Sequence, residues 1–187
     1  MARDIRIIIA GGRKFNDYDK LKECMEKWKK KNLKIKEDDK VTVVCGCADG
    51  ADTLGKKYAE EVGWNVELFP ANWNILGKSA GILRNKEMAK YAEGGDIGYL
   101  VAFWNGKSRG THNMIDTALQ HSLPVTIYSY DDPDRNAINE YIGDIFGVFN
   151  DILETAFGIK EEDQNTKLND SESDNKLKKA DIRIEVI

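Results

Sequence analysis

The sequence has little of what several protein classes require. Its 28 Lys and Arg residues against 32 Asp and Glu residues give a net charge of −4. This argues against nonspecific binding to nucleic acid, which needs a basic surface. No apolar stretch approaches the length of a membrane span, and no apolar segment follows the charged residues at the N-terminus. We therefore expect a cytoplasmic protein with no membrane partner and no nucleic-acid partner.

Cysteine and histidine are scarce as well, with three and two residues. The odd number of cysteines argues against a disulfide framework in a reducing compartment. A zinc site built on Cys24, Cys45 and Cys47 would need a fourth ligand, and His112 and His121 are the only histidines. We expect three packed thiols, with no metal and no cofactor.

Three glycine-rich turns are the most informative feature that is present, and each follows a short apolar run. A β-branched run, a glycine turn and then a helical pattern is typical of parallel sheets that offer backbone N–H groups to an anion. Together the turns predict one pocket for a phosphorylated small molecule. They are Gly11–Arg13 after Ile7–Ala10, Gly46–Asp52 after Val41–Cys45, and Trp104–Thr111 after Tyr99–Phe103.

Strand and helix patterns alternate along residues 5–128. The predicted fold is therefore a Rossmann-like three-layer α/β sandwich with a mainly parallel sheet. The predicted strands are 5–10, 41–45, 65–69, 97–104 and 124–128, the predicted helices are 18–31, 52–62, 79–91 and 111–121, and 71–78 is predicted to be a loop.

The C-terminal third has a different composition. Residues 137–157 carry a broad apolar stripe at helical spacing, which fits a helix packed on the sheet or a subunit interface. Residues 160–180 are rich in charged and polar residues and are predicted to be disordered, whereas 182–187 alternates like an edge strand. We expect a ligand-binding domain over 1–158 and an acidic tail over 159–187.

Several side chains near the turns are candidates for binding a ligand. Arg13 and Arg84 have guanidinium groups that suit a phosphate or carboxylate. Asp52 is either a helix N-cap or, like Asp49, a group that accepts hydrogen bonds from ribose hydroxyls or acts as a general base. Thr111 at a helix start suits either a helix cap or a phosphate.

Trp104, which follows the predicted fourth strand, is expected to pack against the core, with stacking on a base as the alternative.

Four segments together resemble the SLOG superfamily, and its YspA-like branch in particular. The superfamily also includes the LOG phosphoribohydrolases and DprA. The resemblance implies a Rossmann-like fold and a homodimer or higher oligomer, with the stripe at 138–153 as one candidate surface. The segments are Ile9–Phe15, Gly46–Asp52, Ala80–Met88 and Gly110–Thr111.

The resemblance also implies residue roles. Arg84 matches the arginine of the LOG site, and Gly110 with Thr111 matches the pair that holds phosphate. Asn85 stands where LOG enzymes have lysine, and no glutamate follows Thr111, so the carboxylate expected to stabilise a ribosyl cation is missing. The implied function is binding of a nucleotide- or ADP-ribose-derived molecule. The alternative is N-glycosidic hydrolysis of nucleotides.

The complete predicted site contains glycines, cations and carboxylates from all of these segments. The predicted ligand-binding residues are Gly11, Gly12, Arg13, Gly46, Asp49, Gly50, Asp52, Lys78, Arg84, Asn85, Gly110 and Thr111, and the alternative function would make Asp52, Asp49 and Arg84 catalytic.

Overall fold

The structure, a computed structural model, describes residues 2–130 and 182–187. Strands and helices alternate along this part of the chain, and a 3₁₀ turn at Gly77–Ser79 joins α3 to α4. The elements are β1 Asp4–Gly11, α1 Tyr18–Asn32, β2 Lys40–Cys45, α2 Ala51–Glu61, β3 Asn65–Leu68, α3 Trp73–Leu76, α4 Ala80–Glu93, β4 Ile97–Trp104, α5 Arg109–Gln120, β5 Val125–Ser129 and β6 Ile182–Val186.

The six strands form one sheet in the order β3-β2-β1-β4-β5-β6, and every neighbouring pair is parallel. β1 lies at the centre because its apolar residues are consecutive, so both of its faces are hydrophobic. Ile7, Ile8 and Ile9 are fully buried. The predicted α/β fold with a mainly parallel sheet is confirmed.

Helices cover both faces of the sheet. Leu21 and Met25 of α1 and Tyr58 of α2 share a core cluster with Ile5, Ile7 and Ile9 of β1. Side chains alternate between the two faces of a strand, so Ile8 points to the opposite face. There α4 and α5 contact each other, and each packs on β1 and β4. The result is the expected three-layer arrangement.

The chain reverses direction across the sheet between β1 and β4. From β1 it proceeds outwards to β2 and β3, and it then returns to β4 before proceeding outwards to β5 and β6. In open parallel sheets, ligands bind outside the carboxyl ends of the strands at such a switch point. The loops after Gly11 and Trp104 lie at this place.

Some predicted boundaries need correction. The segment 71–78, predicted to be a loop, contains α3 and most of the 3₁₀ turn. α5 begins at Arg109, two residues before the predicted start. The predicted strand at the end of the sequence is confirmed as β6, parallel to β5. The predicted helix 137–157, the predicted disorder of 160–180 and the domain boundary after 158 lie outside the described residues.

No helix within the described ranges combines the length and the apolar character needed to cross a membrane.

Candidate functional site

A cavity of about 630 Å³ opens at the carboxyl ends of β1 and β4. Its size falls in the range of small-molecule sites. Nine of the twelve predicted ligand residues line it, which means that the structure brings most of the predicted site together. These nine are Gly11, Gly12, Arg13, Asp52, Lys78, Arg84, Asn85, Gly110 and Thr111.

The other three predicted residues lie elsewhere. Gly46 and Asp49 line a neighbouring depression of about 340 Å³, which shares Arg13 and Arg84 with the main cavity. Gly50 lines neither of the two. Its φ of 83° is in the left-handed region, and an added Cβ would overlap the carbonyl oxygen of Gly12. Glycine at position 50 therefore allows the two turns to approach each other.

The first glycine turn offers only some of the backbone donors that the sequence predicts. The N–H of Gly12 donates to the carbonyl oxygen of Phe103 at 3.0 Å. The backbone of Gly11 also interacts with the carboxylate of Asp52, and this interaction acts to lower the pKa of Asp52. Of the N–H groups around Gly11 and Gly12 that the sequence predicts as phosphate donors, that of Gly12 is therefore already occupied. Within the described residues, the N–H groups of Arg13 and Lys14 make no hydrogen bond.

Asp52 is buried at the cavity wall and connects three segments. Its Oδ2 lies 3.6 Å from Nη1 of Arg84, and its side chain is 5% exposed. Burial raises its pKa to about 6, although Arg84 and the backbone hydrogen bonds of Ala48 and Gly11 act in the opposite direction. The N-cap of α2 is Gly50, so the N-cap interpretation of Asp52 is wrong.

Arg84 and Asn85 on α4 belong to a polar network. Arg84 donates through Nη1 to the carbonyl oxygen of Gly46 and through Nε to Oδ1 of Asn85 at 3.1 Å. Asn85 donates to Oδ1 of Asn113 at 2.9 Å and to the carbonyl oxygen of Gly110 at 3.3 Å. The network ties the second glycine turn to α4 and α4 to α5.

The third turn is organised by Asn105 and Ser108. Oδ1 of Asn105 accepts the N–H groups of Lys107 and Ser108 at 3.1 Å each. Ser108 is the N-cap of α5, and its Oγ accepts the hydroxyl of Thr111 at 2.9 Å. Thr111 is therefore in the first turn of the helix, and of its two predicted roles the helix cap is wrong.

Two further sequence predictions are settled by burial. Trp104 is 2% exposed and its Nε1 donates to the carbonyl oxygen of Ser108 at 3.1 Å, so it packs and has no face for a base. Cys24 and Cys45 are buried as expected, but Cys47 is exposed. Among the described residues, no three His, Cys, Asp or Glu side chains are placed to hold a metal ion.

The cavity wall is strongly cationic. Among the described residues that line it, six are basic and Asp52 alone is acidic. The sequence did not assign four of the lining residues to the site, namely Lys14, Trp73, Lys107 and Arg109. Lys107 and Arg109 could have been assigned, because they belong to the third glycine turn itself. The six basic residues are Arg13, Lys14, Lys78, Arg84, Lys107 and Arg109.

The fold and the site define a Rossmann-like α/β protein with a cationic cavity at the switch point of its sheet. The chain belongs to the YspA, cpYpsA-related SLOG family, which matches residues 5–75. It is 39% identical to the Gene 61 protein of Mycobacterium phage D29 over 90 residues, which is 46% of this chain and 69% of that protein. No solved structure matches the chain. The family match ends before α4, which carries Arg84.

Proposed function

We propose that the protein binds a phosphorylated, nucleotide-derived small molecule in the 630 Å³ cavity. The observation that carries the proposal is that, among the described residues, six basic side chains and one carboxylate line the cavity, and this carboxylate is paired with Arg84. A protein of net charge −4 that concentrates cations in one concave site is suited to an anionic ligand.

The start of α5 is the proposed phosphate position. Lys107 lies just before the helix and Arg109 is its first residue, and both line the cavity. Gly110 and Thr111, the next two residues of the helix, line it as well. Within the described residues, the N–H groups of Arg109 and Gly110 make no hydrogen bond, and the positive end of the helix dipole lies there. Free N–H groups, two cations and a helix N-terminus together favour a phosphate group.

Isothermal titration calorimetry with AMP, ADP, ADP-ribose, cyclic ADP-ribose and pyrophosphate tests this proposal. We expect at least one ligand to bind, with an affinity that falls as salt is added. The double variant Lys107→Ala, Arg109→Ala should bind at least about tenfold more weakly, since hydrogen bonds to charged groups contribute about 1.5–3 kcal/mol each. Lys86→Ala, an exposed change on α4 outside the cavity, is the matched control. Absence of heat with every ligand would contradict the proposal.

N-glycosidic hydrolysis is the second candidate, because Asp52 lines the cavity and has a pKa of about 6. A carboxyl group with such a pKa is suited to general acid or base chemistry near neutral pH. Hydrolysis would release a free base from a nucleoside monophosphate, detected by chromatography, and Asp52→Asn would abolish the product. A panel of nucleotides that remains intact would exclude this candidate.

A further inference from the structure

We propose that Trp73, together with Gly81 and Ile82, forms a subsite for the flat aromatic base of the nucleotide. The subsite rests on the proposed function, because it supplies the apolar end of the same cavity. Trp73 is 49% exposed and Ile82 is 46% exposed, and both line the cavity. Trp28 and Trp104, in contrast, are each 2% exposed.

The start of α4 supports the indole ring of Trp73. A Cβ added to Gly81 would lie 3.2 Å from Cη2 of Trp73, so a side chain at position 81 would crowd the ring. Asn72 caps the short helix that carries Trp73, and its Oδ1 accepts the N–H of Ile75 at 3.3 Å. One edge of the ring is thus held against α4, while half of the residue stays accessible.

Arg13 lies near the ring without stacking closely on it. The guanidinium carbon of Arg13 is 5.7 Å from the ring centroid, whereas that of Arg6 lies 4.1 Å from the ring of Tyr91. Arg13 is also exposed, so its side chain is able to move aside for a base. In its present place it brings a cation beside the exposed ring of Trp73.

The arrangement of the walls favours a base over a second copy of this chain. Trp73 and Ile82 share the cavity with Lys78, Lys107 and Arg109. A nucleotide has this same combination, a flat apolar ring joined to a phosphate. Stacking on an aromatic side chain contributes about 1–3 kcal/mol per base, or roughly 5-fold to 150-fold in affinity.

Calorimetry of the full chain with ADP and with inorganic pyrophosphate tests the subsite. Trp73→Ala should weaken ADP binding roughly 5-fold to 150-fold and leave pyrophosphate binding unchanged, and Trp73→Phe should restore most of the ADP affinity. Ile75→Ala, a change on the same short helix that is 78% exposed and outside the cavity, is the control and should have no effect. In the wild type, ADP should quench tryptophan fluorescence, and Trp73→Phe should remove this quenching.

The outcomes separate the subsite from the proposed function. Unchanged ADP affinity in Trp73→Ala, or equal losses for ADP and pyrophosphate, would overturn the base subsite while leaving phosphate binding intact. If the wild type binds pyrophosphate but does not bind ADP, the base subsite is likewise overturned. Absence of binding by both, and by AMP, ADP-ribose and cyclic ADP-ribose as well, would overturn the proposed function and the subsite with it. A change from dimer to monomer in Trp73→Ala, with ADP affinity unchanged, would assign this surface to a second copy.

Discussion

Nη1 of Arg84 lies 3.6 Å from the buried Oδ2 of Asp52, and the same nitrogen donates to the carbonyl oxygen of Gly46. The side chains of Arg84 and Asp52 are 12% and 5% exposed. Part of the positive charge of Arg84 is therefore neutralised inside the protein. This arginine shapes the cavity by holding α4 against the second glycine turn, in addition to any contact with a ligand.

Removing Arg84 should destabilise the fold. Arg84→Ala would leave the carboxylate of Asp52 buried without its cation, and breaking such a pair costs about 3 kcal/mol or more. We expect a loss of that size in the free energy of unfolding, measured by urea denaturation near neutral pH. Lys86→Ala, on an exposed position of the same helix, should change it by less than about 0.5 kcal/mol. Equal stability of the two variants would contradict the importance of the pair.

Asp52→Asn should change how stability depends on pH. The pKa of Asp52 is raised from 3.8 to about 6 in the folded protein, so the folded state holds a proton that the unfolded chain has released between these values. The stability of the wild type relative to Asp52→Asn should therefore be greatest below about pH 4 and fall by about 3 kcal/mol as pH rises to 7. Urea denaturation of both proteins across this range measures the difference. A difference that is independent of pH, or that grows with pH, would show the assignment to be incorrect.

Gly50→Ala and Gly63→Ala form a matched pair. Both glycines have positive φ, 83° and 76°, but only at Gly50 would a Cβ overlap another segment, the backbone at Gly12 and Arg13. Gly63→Ala should cost about 1 kcal/mol from the backbone conformation alone. Gly50→Ala should cost clearly more, because its ψ of −129° lies far from the left-handed helical region and because the first turn must also move, and it should weaken ligand binding. Thermal unfolding of the two variants is the measurement, and equal losses would exclude the close approach of the turns.

Gly110→Ala should stabilise the fold and weaken ligand binding. No atom lies within 4 Å of a Cβ added to Gly110, and alanine favours a helix over glycine by up to about 1 kcal/mol. We expect a higher melting temperature together with weaker binding of pyrophosphate, since Gly110 lines the proposed phosphate position. Unchanged pyrophosphate affinity in a folded, stabilised variant would show that the phosphate does not bind at the start of α5.

The strands were the most predictable part of the molecule. Runs such as Ile7–Ala10 are β-branched and end at glycine, so local composition is enough to identify them. α3 was not predicted because a helix of four residues, Trp73–Leu76, is too short to show a helical repeat. Its tryptophan was consequently not assigned to the site.

The position of the site was predictable from the sequence, but the interactions of its residues were only partly predictable. Carboxyl ends of parallel strands meet at one edge, and for this reason Gly11, Arg13 and Gly110 come together as expected. The hydrogen bond from the Gly12 N–H to the carbonyl oxygen of Phe103 was not predictable, because it depends on which strands become neighbours. The burial of Trp104, in contrast, agrees with the packing role that its place after a buried strand indicated.

The parallel direction of β6 has a practical consequence for assays. All six strands end at the edge where the cavity opens, and Ile187 lines a small depression together with Lys14 and Tyr130. Lys14 and Tyr130 also line the cavity itself. A purification tag fused after Ile187 would start beside the mouth of the cavity, where a polyhistidine stretch or a protease scar could obstruct ligands. A tag placed before β1 leaves from the opposite edge of the sheet and is the better choice for titrations.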